Sequence, residues 1–345
     1  MASRRGIELP PPDPERLKSA SELAERAAEP ATFANVRFGT AGWTDRTLVQ
    51  SGLFYPPGAS SPQARLEHYS RHFALVEVDA TYYALLPPAT TANWAEWTPP
   101  DFCFDVKAHP VLTGHPIDVA KLPSDLKQAF ASAGFEKRVY PERLPEELRG
   151  ELEVRFAALL EPLIQSGKLG SVLAQFPPWF TATRGNSRRI EQLRERWAGV
   201  KIAVEFRHPS WLLPERRERV FELLSQHQLA YVCVDEPVRE GRGVPAVIKV
   251  TDPELAVVRF HGQNAAGWSQ RGASVAERFD YLYTADELGA WTDPVRQLAG
   301  EAREVHAVFN NCVRNYAVLN AKGLSVLLAT PDARDTAEGE GGKTG

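Results

Sequence analysis

"LVEVDATYYALLPPATTANWAEWTPPDFCFDVKAH", residues 75–109, holds two apolar runs of strand length, Leu75 to Asp79 and Phe102 to Lys107, on either side of the helical stretch "PATTANWAEWT". Strand, helix and strand in succession imply a parallel pair joined by a right-handed crossover. The rhythm continues outward. Strand-length runs recur at Val36 to Thr40, Ser171 to Phe176, Lys201 to Arg207, Ala230 to Asp235, Ala256 to His261 and Val305 to Asn310, making eight in all. Most are separated by helical stretches such as "SPQARLEHYSRHF", "NSRRIEQLRERWA" and "PERRERVFELLSQHQ". Eight such units predict an α/β fold of TIM type, a closed (β/α)8 barrel. Two units depart from the rhythm. Pro237 to Asp252, "PVREGRGVPAVIKVTD", has Gly, Pro and β-branched residues where the sixth helix should be, so an irregular segment is expected there. The third crossover is overlong, with two helical stretches joined through "GFEKRVYPERLP".

Side chains alternate across a strand, so each run has two faces. Glu77 and Asp79 share one face, opposite Val76 and Val78; Asp105, Lys107 and His109 share one opposite Phe104 and Val106. Glu205 with Arg207, Arg259 with His261, Asp235, and Gln175 are assigned to polar faces in the same way. If the apolar faces meet the helices, the polar ones point inward, and most lie in the last residues of their strands. The C-terminal mouth is where barrels of this type build their active sites. Any single member is equally explained as half of a structural ion pair. Six strands ending in charged or amide groups, however, exceed the polarity of a packed barrel core. Trp43, Tyr82, Tyr83, Trp179, Trp211 and Trp268 follow the strands in the loops and could offer rings for stacking a sugar or base.

The bulk numbers set the class. The chain has 345 residues, 43% hydrophobic and 24% charged, with a net charge of -4, which provides no global attraction to nucleic acid or anionic membrane. Cys103, Cys233 and Cys312 are widely spaced and odd in number, so neither a disulfide framework nor a zinc ribbon is indicated. No apolar run is long enough to span a membrane, and "MASRRGIELPPPDPERLK" lacks a secretory signal's apolar stretch, so a cytoplasmic location is expected. Residues 1–33 read as an N-terminal arm, partly helical and solvent-facing through "DPERLKSASELAERAAE"; residues 34–330 read as one barrel domain; residues 331–345 read as a disordered tail.

In order along the chain, "FGTAGWTD", "FYPPG", "YSRHFALVEVDATYYALLP", "FDVKAHPVLTGH", "LAQFPPWF", "AVEFRHPSW", "VVRFHGQN", "RFDYLYTADEL" and "FNNCVRNYAVLNA" resemble the YecE-like family, domain of unknown function 72. The resemblance spans Val36 to Leu328 and implies a TIM-barrel-like fold without supplying a reaction. Its motif residues fall on Gly39, Thr40, Gly42, Trp43, Glu77, Thr81, Tyr83, Lys107, Gln175, Glu205, Arg207, His208, Pro209, Trp211, Asp235, Arg259, His261, Gly262, Asn310 and Asn311. Asp79 stands where members commonly have Asn, Tyr82 where they have Phe, and Cys312 where they have a polar residue, so no acid/base role for Asp79 or Cys312 follows.

Lys107, Arg207, Arg259 and the histidines His109, His208 and His261 could surround a phosphate or carboxylate. Glu77, Glu205, Asp235 and His208 are the candidate catalytic groups; Trp43, Tyr83, Lys107, Gln175, Arg207, Trp211, Arg259, His261, Asn310 and Asn311 are the candidate binding groups. The leading expectation is hydrolysis of a phosphorylated or nucleic-acid substrate, with a divalent metal as an unassigned option. A carbohydrate-active enzyme using Glu77 and Glu205 is the second reading, and a non-catalytic module for a small anionic or sugar-containing ligand is the third. No nucleotide-cofactor motif is present: GxGxxG, GxxxxGK[ST] and GxSxG are all missing. His68 and His72 have metal-ligand spacing, but their helix leads into the second strand, at the wrong end of the barrel, and reads as a solvated face.

Overall fold

The computed structural model describes residues 11–239, 242–270 and 272–330. The expected disordered tail, 331–345, and the first ten residues of the arm lie outside them. Eight strands, β1 (Val36–Ala41), β2 (Leu75–Val78), β3 (Cys103–Lys107), β4 (Leu169–Gln175), β5 (Ile202–Glu205), β6 (Ala230–Asp235), β7 (Ala256–Phe260) and β8 (Val305–Phe309), each pair in parallel with the next. β8 returns to β1, with Val305 against Val36 through Phe309 against Thr40, and the barrel closes. Close approach is built into the seam between β1 and β2: a Cβ at Gly39 would lie 2.3 Å from the Leu75 carbonyl oxygen, so only glycine fits.

Helices cover the outside. Pro62–His72 and Arg184–Arg196 start where the side chains of Ser61 and Thr183 accept the backbone N–H groups of Ala64 and Asn186, as N-caps do. Pro88–Glu96, Glu146–Gln165, Arg217–Gln226, Thr292–Glu301 and Tyr316–Ala329 complete the outer ring. The overlong third crossover contains a small antiparallel hairpin, Ile117–Asp118 with Arg138–Val139, around the helix Ser124–Ser132. Between β6 and β7 the described residues form no helix, as the Gly and Pro content predicts. The Thr251 hydroxyl fastens that segment, bonding the Leu229 carbonyl and accepting the Tyr231 N–H.

The N-terminal helix Pro14–Ala24 is not wholly solvent-facing. Ala20 and Ala24 are buried with Leu282, Val313, Tyr316 and Leu319, so its small residues let it dock on the last helix. Among the described residues, no helix is long and apolar enough to cross a membrane.

Candidate functional site

Glu77 near the end of β2, Glu205 at the end of β5 and Arg259 near the end of β7 meet inside the upper barrel, each at most 1% exposed. Arg259 Nε lies 2.7 Å from Glu77 Oε2 and its Nη2 lies 2.5 Å from Oε1, a two-pronged pair. Its Nη1 donates to Glu205, which also accepts from Gln175 Nε2 at 2.7 Å and Arg207 Nη1 at 3.0 Å. Arg259 thus occupies the space between the two carboxyl groups, where a glycosidic bond would have to lie. The carbohydrate reading of Glu77 and Glu205 loses its geometric basis.

Charge is nearly balanced here. Asp79 is 3.0 Å from Lys107 Nζ, and Arg207 Nη2 is 3.1 Å from Glu236 Oε2. Protein cations therefore stand where a divalent ion would bridge these mouth carboxylates, and among the described residues the mouth gathers no group of three metal-ligating side chains. His261 lies 3.0 Å from Arg207 Nη1 through Nε2 and 2.9 Å from Asn310 Nδ2 through Nδ1. Burial pushes its pKa down to about 3, so the ring is neutral. Burial pushes Glu77 up to about 7, even with Arg259 against it. Glu205, despite burial, is held well below the usual range by Arg259, His261 and Arg207.

One expected residue is out of phase. On β6 the register sets Val232 beside Val257 and Val234 beside Arg259, so the valines face inward. Tyr231 instead meets Phe221 of the outer helix Arg217–Gln226, with ring centroids 5.1 Å apart. Asp235 consequently turns from the mouth and accepts from Gln263 Nε2 at 2.7 Å and from the Tyr283 hydroxyl. Its neighbour Glu236 is the inward carboxylate. Sequence reasoning missed it because both faces of "YVCVDE" are largely apolar and the phase cannot be told.

Three more expected binding residues lie in the core. Trp211 is 1% exposed, stacked on Phe206 and Phe180, with its indole N–H donating to the Phe180 carbonyl. Trp43 packs edge-on against Trp94 at 5.2 Å. Asn311 is fully buried and donates to the Tyr281 carbonyl and the Asn320 side chain, tying loops to the last helix. His68 and His72 are only partly exposed and pack against Phe54, with His72 Nδ1 2.7 Å from Glu29, rather than forming a solvated face.

Among the described residues, depressions at the mouth remain open to a ligand, two of which gather expected site residues. The larger, of about 580 Å³, is lined by Arg207, His208, Glu236, Arg242, Trp268 and Arg278 among others. The Arg207 guanidinium carbon stands 4.8 Å over the centre of the Trp268 ring. His208 Nδ1 accepts the Ser210 backbone N–H at 3.1 Å, which places the ring proton on Nε2. The smaller, of about 280 Å³, takes Tyr82, Tyr83, Lys121 and Arg138, with Tyr83 half exposed at 49%. Arg242 and Arg278 were not among the expected residues, since their loops carry no alternation to read.

The chain is similar over its length to proteins of one family. UPF0759 protein YunF of Bacillus subtilis (strain 168) is 31% identical over 296 residues, 85% of this chain and 94% of that protein. The crystal structure of a DUF72 family protein from Enterococcus faecalis matches with a TM-score of 0.69 and 28% identity, over 86% of this chain and 96% of that one. That of a DUF72 family protein from Thermotoga maritima matches with a TM-score of 0.67 and 31% identity, over 86% of this chain and 99% of that one. With residues 37–340 matched by the family described as "Protein of unknown function DUF72", the chain belongs to that family.

Proposed function

We propose that the mouth binds a small phosphate-bearing ligand with a planar group and hydrolyses its phosphate ester. One observation carries this reading: among the described residues, the 580 Å³ depression sets Arg207, Arg242, Arg278 and His208 around the carboxylate of Glu236, beside Trp268. Guanidinium groups match phosphate geometry, and an indole face takes a base or another flat ring. Glu236, whose pKa burial raises, is the candidate base for an attacking water. His208, with its Nε2–H free to donate, is the candidate hydrogen-bond donor to a phosphate oxygen, and the proton that Glu236 takes from water passes on to the leaving oxygen. Glu77, Glu205 and Arg259 are the buried support that fixes Arg207.

Calorimetric titration with adenosine monophosphate, together with turnover of p-nitrophenyl phosphate and bis(p-nitrophenyl) phosphate, tests this. The nucleotide should bind, and Arg207→Ala should weaken it by about tenfold or more, the cost of one charge-assisted contact. Glu236→Gln should preserve binding and abolish turnover. Failure of the nucleotide to bind would remove the reading. Binding without turnover of either ester would replace hydrolysis by the non-catalytic ligand-binding alternative.

A further inference from the structure

A second polar group, which the mouth does not use, lies at the opposite end of the barrel. Cys103 and Asp105 of β3 and His306 of β8 are 7%, 2% and 0% exposed. Donor atoms of their thiol, carboxylate and imidazole all fall within 4.8 Å of one another. His306 Nδ1 is 2.8 Å from Asp105 Oδ2, and Nε2 is 3.9 Å from Cys103 Sγ. The other Asp105 oxygen accepts the Ser171 hydroxyl at 2.7 Å. The chain leaves room for these groups: a Cβ at Gly170 would lie 2.3 Å from Cys103 Sγ and 2.8 Å from Asp105 Oδ1.

We propose that Cys103, Asp105 and His306 form a buried site for a divalent transition metal of the zinc type. Thiolate, imidazole and carboxylate together select such an ion over magnesium or calcium, which take all-oxygen sets. Tetrahedral zinc, with bonds of about 2.3 Å to sulfur and about 2.0–2.2 Å to nitrogen or oxygen, sets its ligand atoms about 3.4–3.6 Å apart. The widest pair therefore closes by roughly an ångström, and the Asp105–His306 hydrogen bond gives way to bonds to the ion. Ser171 acts as a positioning residue, orienting the carboxylate from the outer shell as such groups do. Glu304 gives a path and a fourth position. Its Oε1 is 3.5 Å from His306 Nε2, and its side chain is 22% exposed at the rim, where Arg37 and Lys201 also engage it. An Asp105–His306 ion pair alone would account for those two residues, but not for a thiol facing the imidazole beside a required glycine.

The test is titration of chelator-stripped, full-length protein with cobalt(II), which has visible bands that zinc lacks. The expected result is saturation at one equivalent, a thiolate-to-cobalt charge-transfer band in the near ultraviolet, and release of protons from the thiol and the imidazolium into an unbuffered indicator solution. Zinc should displace the cobalt. Cys103→Ala should lose the charge-transfer band, and Ser171→Ala should weaken cobalt binding by about tenfold. Arg207→Ala, at the mouth, should bind cobalt as the wild type does. A wild-type titration without the thiolate band, or without saturation at one equivalent, would overturn the proposal whether or not Cys103→Ala folds. It would leave the Asp105–His306 pair as a structural ion pair.

Discussion

Arg259, Arg207 and Lys107 face four carboxylates, Glu77, Asp79, Glu205 and Glu236, while His261 is neutral. One negative charge is in excess in a buried space, and the cluster lowers that cost by keeping a proton. Burial raises Glu77 from 4.5 to about 7, so it is the carboxyl expected to take that proton as pH falls. The unfolded chain gives that proton up near pH 4.5 and the folded chain near pH 7. This contribution to stability is therefore full below pH 4.5, falls as pH rises, and is gone above 7. Urea unfolding of the wild type should lose on the order of 2 kcal/mol between pH 5 and pH 7.5 relative to Glu77→Gln, which has no proton to lose. Parallel pH profiles for the two proteins would show that the proton lies elsewhere.

Packing between elements makes a different demand at Gly39. A methyl group there would press on the Leu75 carbonyl, which is backbone and cannot swing aside. Gly39→Ala should lower the unfolding free energy by about 3 kcal/mol, at the upper end for overpacking. Gly150→Ala in the helix Glu146–Gln165, where a Cβ meets nothing within 4 Å, should raise it by about 0.5–1 kcal/mol. Urea midpoints moving in the same direction for both would refute the closure argument. Elements of this kind are readable from sequence because strand and helix periods differ, so the eight strands and the missing sixth helix were legible. The two ends of a strand were harder to separate. Asp105 and Lys107 share a face two residues apart, yet one joins His306 below while the other joins Asp79 at the mouth. Trp211 and Asn311 sit in motifs that flank the mouth and still point into the core, because loop direction has no period. β6 shows the remaining limit: with apolar residues on both faces, Asp235 and Glu236 exchange roles on a one-residue change of phase.

At the scale of the molecule, a net charge of -4 surrounds a cationic depression at one end of the barrel. Partly exposed charges are screened over about 10 Å at 0.1 M salt. Raising sodium chloride from about 0.05 to 0.5 M should weaken adenosine monophosphate binding several-fold, as measured by calorimetry; an unchanged affinity would point to contacts other than charge. Closure of the barrel joins β1 to β8, strands from opposite parts of the chain. As the chain emerges from a ribosome, β1 therefore keeps an open edge until nearly all of the protein has been made. Glu77 waits 182 residues for Arg259, and Asp105 waits 201 for His306. Until then these carboxylates lack their cationic partners, and burying them in the unfinished sheet would carry the cost of an unpaired charge. β7 brings Arg259 first, and β8 then brings His306 and covers the open edge of β1.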